Sequence, residues 1–351
     1  MYLDLEYEAR TNGQFQDRLR LLQAQVGQWH RRSLNDEGLL VRYHEAVLEL
    51  IRFCRFNFVF LTPFFWPKFR GAPLTFGDYP FAWSLFQLQF GGFTVVRASR
   101  QIGKSTALSA RQHIFAELIP GFKSTYIVPH YKQLQTYCNR TREIERAMVG
   151  FSAKRTGDLR KNLAFKEFPN GSTIEMHNVL TSALPVRGMS ADELVFDEAQ
   201  DFDPDLEIEV TQIQAASHMA VTVYAGTSLT TDTLLEKKYS ESSQGVWVTR
   251  CPACGHDNIP LPDHGVLDSI QPMGPACCKC SRPIDVRTGR FIHADTNKLN
   301  AGHVGLHVPQ IILPAVVNNP VRWGKIYEMK LKQAGNRKFL QEILGIAVEE
   351  G

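Results

Sequence analysis

Gly103, Lys104 and Ser105 close the stretch VVRASRQIGKSTALSA, and a phosphate-binding loop of the form G-x-x-x-x-G-K-[ST] closes in that order. Ala98 stands where the first glycine of the pattern belongs, and Arg100 lies inside the loop. Backbone N–H groups wrapped around a phosphate, together with a helix N-terminus, favour an anion; Lys104 would neutralise the β- and γ-phosphates of a nucleotide and Ser105 would hold Mg²⁺. A bare G-K-S triplet is a weak signal, and LVFDEAQ strengthens it by bringing Asp197 and Glu198 to the end of an apolar strand. In nucleoside-triphosphate hydrolysis one such carboxylate completes the metal shell and the next polarises the attacking water, roles that fall to Asp197 and Glu198 in turn. Without the loop, a solvated acidic strand end would explain them as well.

Three further groups could serve the same chemistry. YAGTS ends another strand with Thr227 and Ser228, whose hydroxyls can bond a γ-phosphate or the attacking water, although a plain glycine-containing turn would look the same. Arg187, before Gly188 in LPVRGMS, can offer a guanidinium to a γ-phosphate, from one subunit to its neighbour, as an arginine finger; a surface loop arginine is the alternative. Ala98 lacks the permissive dihedrals of glycine, so the start of the turn is expected to avoid left-handed geometry, with Arg100 compensating through a charged contact.

The cysteines make a second constellation. CPACG supplies Cys251 and Cys254, CCKC supplies Cys277 and Cys280, and two C-x-x-C knuckles at this separation read as a zinc ribbon with a closed, structural Zn²⁺ site. Cys278 could replace Cys277 as a ligand, but the knuckle register favours Cys277. Cys54 and Cys138 read as buried small hydrophobes. Cysteine pairs of this kind fit a reducing compartment better than a disulfide framework.

These groups need elements to position them. FTVVRA reads as a buried strand before the loop and 104–118 as the helix after it, followed by STYIVP as strand and 131–148 as helix. NLAFKEFPNGSTIEMHN alternates about Asn170-Gly171 and reads as a hairpin, while ELVFDEAQ and MAVTVYAGTS are further buried strands. Strands alternating with helices mean a parallel-dominated sheet sandwiched between helices. Upstream, Leu19, Leu22, Val26, Leu39, Val47, Leu48 and Ile51 recur at helical spacing and predict a helical extension. The division expected is 1–78 extension and loop, 79–246 core, 247–292 zinc ribbon, and 293–351 a strand and helical segment leading to a linker.

At 351 residues, with 44% hydrophobic and 21% charged residues, the composition is that of an ordinary globular protein. A net charge of +3 does not announce a nucleic-acid binder, so partners must be argued from motifs. The acidic start MYLDLEYEAR is not a secretory signal, and the apolar run at 53–66 is too short and too interrupted to span a membrane.

YPF, RASRQIGKST, FPNGSTIEM, VRGMSADELVFDEAQD, YAGTS, RCPACG with CCKC, and FLQEILG occur in that order, and the ordered set resembles the ATPase part of the large terminase subunit of tailed bacteriophages, in a subgroup with a zinc insertion. The resemblance covers about 79–345 and implies an α/β P-loop NTPase of the ASCE, RecA-like type. In that family S-R-Q-x-G-K-[ST] replaces the glycine-rich loop start, which here gives Ser99, Arg100, Gln101, Ile102, Gly103, Lys104 and Ser105, with Thr106 following. Arg100 would approach the phosphates in cis, Asp197 and Glu198 match the Walker B acids, Thr227 and Ser228 match the motif that couples hydrolysis to movement, and Arg187 matches the trans-acting arginine. Tyr79, Pro80 and Phe81 are the expected adenine contacts. The implied partners are double-stranded DNA, a portal protein, a small terminase subunit and further copies in a pentameric ring, acting in the infected host's cytoplasm at the procapsid. Full-length members carry a C-terminal nuclease domain; none is expected within these residues, so cleavage is not assigned to them.

Two other readings use the same residues. A DEAD-like helicase would need a second RecA-like lobe, where this chain offers cysteine knuckles and a helical tail. A non-catalytic zinc-ribbon adaptor would not be expected to retain Lys104, Ser105, Asp197 and Glu198 together.

Overall fold

The computed structural model describes residues 12–32, 37–55, 57–87, 91–148, 163–333 and 335–349. Its centre is a ten-stranded sheet in the order β11-β7-β12-β1-β6-β5-β2-β4-β3, with β8 paired to β7. The strands are β1 (Gly92–Ala98), β2 (Lys123–Val128), β3 (Phe165–Glu167), β4 (Thr173–Asn178), β5 (Glu193–Asp197), β6 (Val221–Thr227), β7 (Gly245–Arg250), β8 (Asp257–Asn258), β11 (Arg290–His293) and β12 (His303–Val308). A separate two-stranded ribbon pairs β9 (Ile270–Gln271) with β10 (Gly274–Pro275).

The central pairings, β12 with β1, β1 with β6, β6 with β5, β5 with β2 and β2 with β4, are all parallel. Every residue of β5 and β6 is buried, as expected of strands covered on both faces. Antiparallel pairs lie toward the edges, where β3 folds back on β4 in the hairpin the sequence predicts about Asn170-Gly171. β6 separates the strand carrying the loop from the strand carrying the acids, which is the ASCE, RecA-like arrangement.

Helix α1 (Gly13–Arg32) packs on α2 (Glu37–Phe53); the ring of Phe15 stacks on that of Phe53 with centroids 4.8 Å apart. Leu19, Leu22 and Val26 are buried as predicted, and so is Val47. Leu48 instead turns to solvent, because the buried stripe of α2 runs through Ala46, Val47 and Leu50. The side chain of Leu39 lies outside the described residues. The apolar run near 60 is buried: Phe65 and Trp66 lie in the core, and Trp66 Nε1 donates to the Ile144 carbonyl at 2.8 Å. Among the described residues no helix is long and apolar enough to cross a membrane.

Three more helices frame the loop: the short α3 (Phe81–Leu85), α4 (Lys104–Leu118) after it, and α5 (Tyr131–Ala147). α4 is buried around its whole circumference, so its polar residues need partners. Gln112 donates to Ser124 Oγ at 2.7 Å, Ser109 pairs with Thr141 at 3.3 Å, and Arg111 forms an ion pair with Glu193 of β5.

The sheet extends beyond 79–246. β12, from the C-terminal part of the chain, lies directly beside β1, and β7 and β11 on either side of the cysteine segment also belong to the sheet. The cysteine module is therefore an excursion from the sheet edge that leaves after Arg250 and returns at Arg290. Helix α6 (Pro320–Gln333) and a π-helical turn at Leu340–Leu344 come next, and Val348 forms a parallel bridge with Thr230 just beyond β6.

Candidate functional site

The loop from Ser99 to Gly103 joins β1 to α4. Ala98 is the last residue of β1, in register with Thr227 and Val308, and needs no left-handed geometry. The positive φ angles fall later, at Gln101 (58°) and Gly103 (87°), with Ile102 between them. Such alternation turns successive N–H groups toward one point and makes an anion-binding nest. Among the described residues no acceptor takes the backbone N–H of Gln101, Ile102, Gly103, Lys104 or Ser105. Ser99 is buried, and both its N–H and its hydroxyl donate to the Val308 carbonyl, at 3.0 and 3.1 Å. The Ile102 side chain is buried in the core, and Thr106 N–H bonds the Gly103 carbonyl at 3.1 Å inside the first turn of α4.

The loop lysine and serine meet the strand tips. Lys104 Nζ lies 3.4 Å from Thr227 Oγ1 at the end of β6, and Ser105 Oγ donates to Asp197 Oδ2 at 3.2 Å at the end of β5. Asp197 also accepts from Tyr126 Oη at 2.7 Å and, on its other oxygen, from the Glu198 N–H at 3.1 Å. Burial pushes the Asp197 carboxyl above its usual range, the neighbouring charge of Glu198 pushes it further, and Lys104 and the Tyr126 hydroxyl oppose them. Burial and the Asp197 charge raise Tyr126 well above its ordinary value, so it remains an O–H donor. The Ser105 hydroxyl and the buried Asp197 carboxylate could supply oxygens to Mg²⁺, and the Lys104 ammonium could balance phosphate charge beside it.

Glu198 has φ of 55°, left-handed for a residue with a side chain, a conformation that costs about 1–2 kcal/mol and turns the carboxylate out of the strand direction. Gln200 Nε2 donates to Glu198 Oε2 at 2.8 Å, while Gln200 Oε1 accepts the Thr227 N–H at 3.0 Å. One amide thus ties the acid after β5 to the tip of β6. It can approach only because residue 226 is glycine, since a Cβ there would overlap Gln200 Oε1.

The other predicted residues are spread around this centre. The Tyr79 ring lies 3.3 Å from where a Cβ on Gly103 would sit, so it flanks the loop; Pro80 is buried and Phe81 lies wholly in the core. Ser228 Oγ donates to the Gly345 carbonyl at 2.9 Å, away from Lys104 and toward the C-terminal turn. The Arg100 guanidinium lies 3.7 Å from the Glu342 carboxylate. Arg187 is 68% exposed and 3.9 Å from Glu209, and among the described residues it has no ion pair with the loop. A cleft of about 630 Å³ between α1, the Thr75–Gly77 turn and Trp247 is lined by no residue of the 99–105 loop.

Gln200 and Tyr126 escaped the sequence reading, as did Gly226. Gln200 had a local signal, two residues beyond Glu198 in DEAQ; Tyr126 had none, because its partner comes from another strand.

The cysteine module brings Cys251, Cys254, Cys277 and Cys280 within 4.8 Å of one another. Cys251 and Cys280 sulfurs are 3.7 Å apart and those of Cys254 and Cys277 3.6 Å. Tetrahedral Zn–S bonds of about 2.3 Å require S···S separations of about 3.8 Å, so the cluster could hold zinc. The two knuckles are built alike: Cys251 N–H bonds the His256 carbonyl and Cys277 N–H the Arg282 carbonyl, both at 2.8 Å. Cys278 lies outside the cluster, its sulfur 3.2 Å from His256 Nε2.

The fold is that of a phage large terminase ATPase. The HK97 bacteriophage large terminase superposes with a TM-score of 0.50 at 10% identity, over 83% of this chain and 55% of that one. The ATPase domain of the Thermus phage P74-26 large terminase gives 0.47 at 14% identity, over 80% of this chain and 96% of that one. This chain thus spans about half the length of the HK97 protein. No protein-family model and no curated protein matches the sequence.

Proposed function

We propose that this chain is the ATP-hydrolysing motor subunit of a viral terminase, which drives double-stranded DNA into a procapsid. The observation that carries the reading is the meeting of Lys104 and Ser105 with Thr227 and Asp197 at the tips of adjacent strands, beside a nest of free N–H groups. The terminase ATPase fold supports it. The loop N–H groups and Lys104 bind the phosphates of ATP, and Thr227 lies where a γ-phosphate would be sensed. Ser105 and Asp197 would hold Mg²⁺, which screens the charge on the β- and γ-oxygens. Glu198 orients and deprotonates the attacking water, with Gln200 fixing the carboxylate. Arg100 and Arg187 supply positive charge in cis and in trans, and Tyr79 lies against the adenine side of the loop.

Zinc on the four cysteines would be structural. The working assembly would be a ring of identical subunits at the portal in the host cytoplasm, loaded through a small terminase subunit, with DNA held by its backbone and not read by sequence. The test is ATP hydrolysis by the assembled protein with and without duplex DNA. Glu198→Gln should lower the DNA-stimulated rate by about 10²–10⁴-fold. A near wild-type rate in that variant rules out Glu198 as the base, and hydrolysis indifferent to DNA rules out the motor.

A further inference from the structure

The phosphate loop is gripped from outside by the C-terminal part of the chain. Resting on the nucleotide site assigned to this loop, we propose that Arg322 and Gln310 are positioning residues for it, holding two consecutive carbonyls outward so that the N–H groups behind them face the bound nucleotide. Arg322 Nη2 donates to the Gln101 carbonyl at 3.1 Å. Gln310 Nε2 donates to the Arg100 carbonyl at 3.2 Å and to the Glu342 carbonyl at 3.0 Å, and the Arg100 N–H donates back to Glu342 O at 3.3 Å.

The consequence comes from the peptide unit. In a trans peptide the C=O of one residue and the N–H of the next point in opposite directions. Fixing the Arg100 carbonyl therefore aims the Gln101 N–H, and fixing the Gln101 carbonyl aims the Ile102 N–H. Both N–H groups belong to the run that meets no acceptor among the described residues. Gln101 adopts φ of 58° without being glycine, so an outside bond is needed where a glycine-rich loop would rest at no cost.

Both holders are themselves fixed. Asn319 Oδ1 accepts the N–H of Val321 and of Arg322 at 3.1 Å, capping α6. The next residue, Trp323, donates from Nε1 to the Gln271 carbonyl at 2.8 Å, and Lys330 from Nζ to the Ile270 carbonyl at 2.8 Å, so α6 is tied to the β9–β10 ribbon on one side and to the loop on the other. Gln310 lies two residues past the end of β12, the strand beside β1.

The experiment measures ADP affinity, steady-state hydrolysis and thermal midpoints with and without ADP for Arg322→Ala, Gln310→Ala, the double variant, and the size-retaining Arg322→Lys and Gln310→Glu. Each alanine variant is expected to bind ADP about five- to tenfold more weakly, the worth of its one lost hydrogen bond to a loop carbonyl, and the double variant more weakly still. KM should rise with kcat nearly unchanged, because the loop grips ground and transition states alike. The midpoint without ADP should stay put while the ADP-induced shift shrinks. Arg322→Lys should recover part of the affinity, and Gln310→Glu none, since its carboxylate would face two carbonyl oxygens. Lys104→Ala separates the two ideas: if it loses ADP binding while both alanine variants bind like wild type, the positioning role is overturned and the nucleotide site stands. If Lys104→Ala binds ADP normally, the nucleotide reading itself fails. A fall in the ADP-free midpoint that tracks the affinity loss in every variant would make the two residues structural and overturn the proposal.

Discussion

Ser105 and Asp197 meet at 3.2 Å, hydroxyl to carboxylate, although Ser105 opens the helix that follows β1 while Asp197 ends β5, and those two strands are not neighbours. The strand between them, β6, ends in Thr227, which reaches Lys104. The loop serine and lysine are thus each answered by a different strand, and the register of three parallel strands sets the site.

Tyr126→Phe removes one of the donors on Asp197 and leaves the ring stack on Tyr137 intact, with centroids 3.4 Å apart. A partner of a metal-holding carboxylate is worth about tenfold or more in metal affinity. We expect the Mg²⁺ concentration for half-maximal hydrolysis to rise about tenfold with the thermal midpoint little changed. Unaltered Mg²⁺ dependence would show that Tyr126 does not hold the acid.

The raised Asp197 carboxyl makes stability depend on pH with a definite sign. Burial and the Glu198 charge raise it above the ordinary value of 3.8, so just above that pH the folded state retains a proton that the unfolded state has released. Stability contributed at this position is therefore present at acid pH and lost as pH rises through the folded value. Asp197→Asn should have a higher midpoint than wild type at pH 7 without nucleotide, with the gap narrowing toward pH 4, while hydrolysis is abolished. A gap that widens on acidification would contradict the burial argument.

Gly226→Ala would push Gln200 off both Glu198 and Thr227. A misplacement of about 1 Å at a reacting group can cost about 100-fold in rate, and we expect a kcat loss of that order with ADP binding retained. Gln200→Ala should reproduce it. If the two variants differ widely in rate, the bridge is not the reason glycine stands at 226.

Metal analysis should find one zinc per chain. Cys254→Ser should lose it, and Cys278→Ser should keep it because that sulfur faces His256. Chelation of the wild type should lower the thermal midpoint and expose the module to protease first. Zinc retained in Cys254→Ser but lost in Cys278→Ser would reverse the ligand assignment.

Much of the site is legible in the chain. Apolar runs ending in Asp197 and Thr227, and a G-K-S triplet after FTVVRA, are local signals, and they place the strands, the loop and the order of the chemistry. The knuckle spacing singles out Cys277 over Cys278 for the same reason. Long-range pairing leaves no such trace. The sequence predicts a strand within 293–351 but gives it no neighbour; that strand, β12, lies against β1, and nearby Gln310 reaches the loop. Leu48 is misplaced by periodicity because a helical stripe one position off fits the same spacing, and only packing chooses between them.

The absent glycine at position 98 has a counterpart far along the chain. Gly345, with φ of 63°, lies so close to the loop entrance that a Cβ on it would come 2.8 Å from Ser99 N and 3.0 Å from the Ala98 carbonyl carbon. The need for a bare backbone beside the loop has moved from the loop to the segment packed on it. In a genetic screen, lesions at 345 should group with lesions in the loop and respond to the same suppressors, although nothing in the spacing of the motif would lead one to look there.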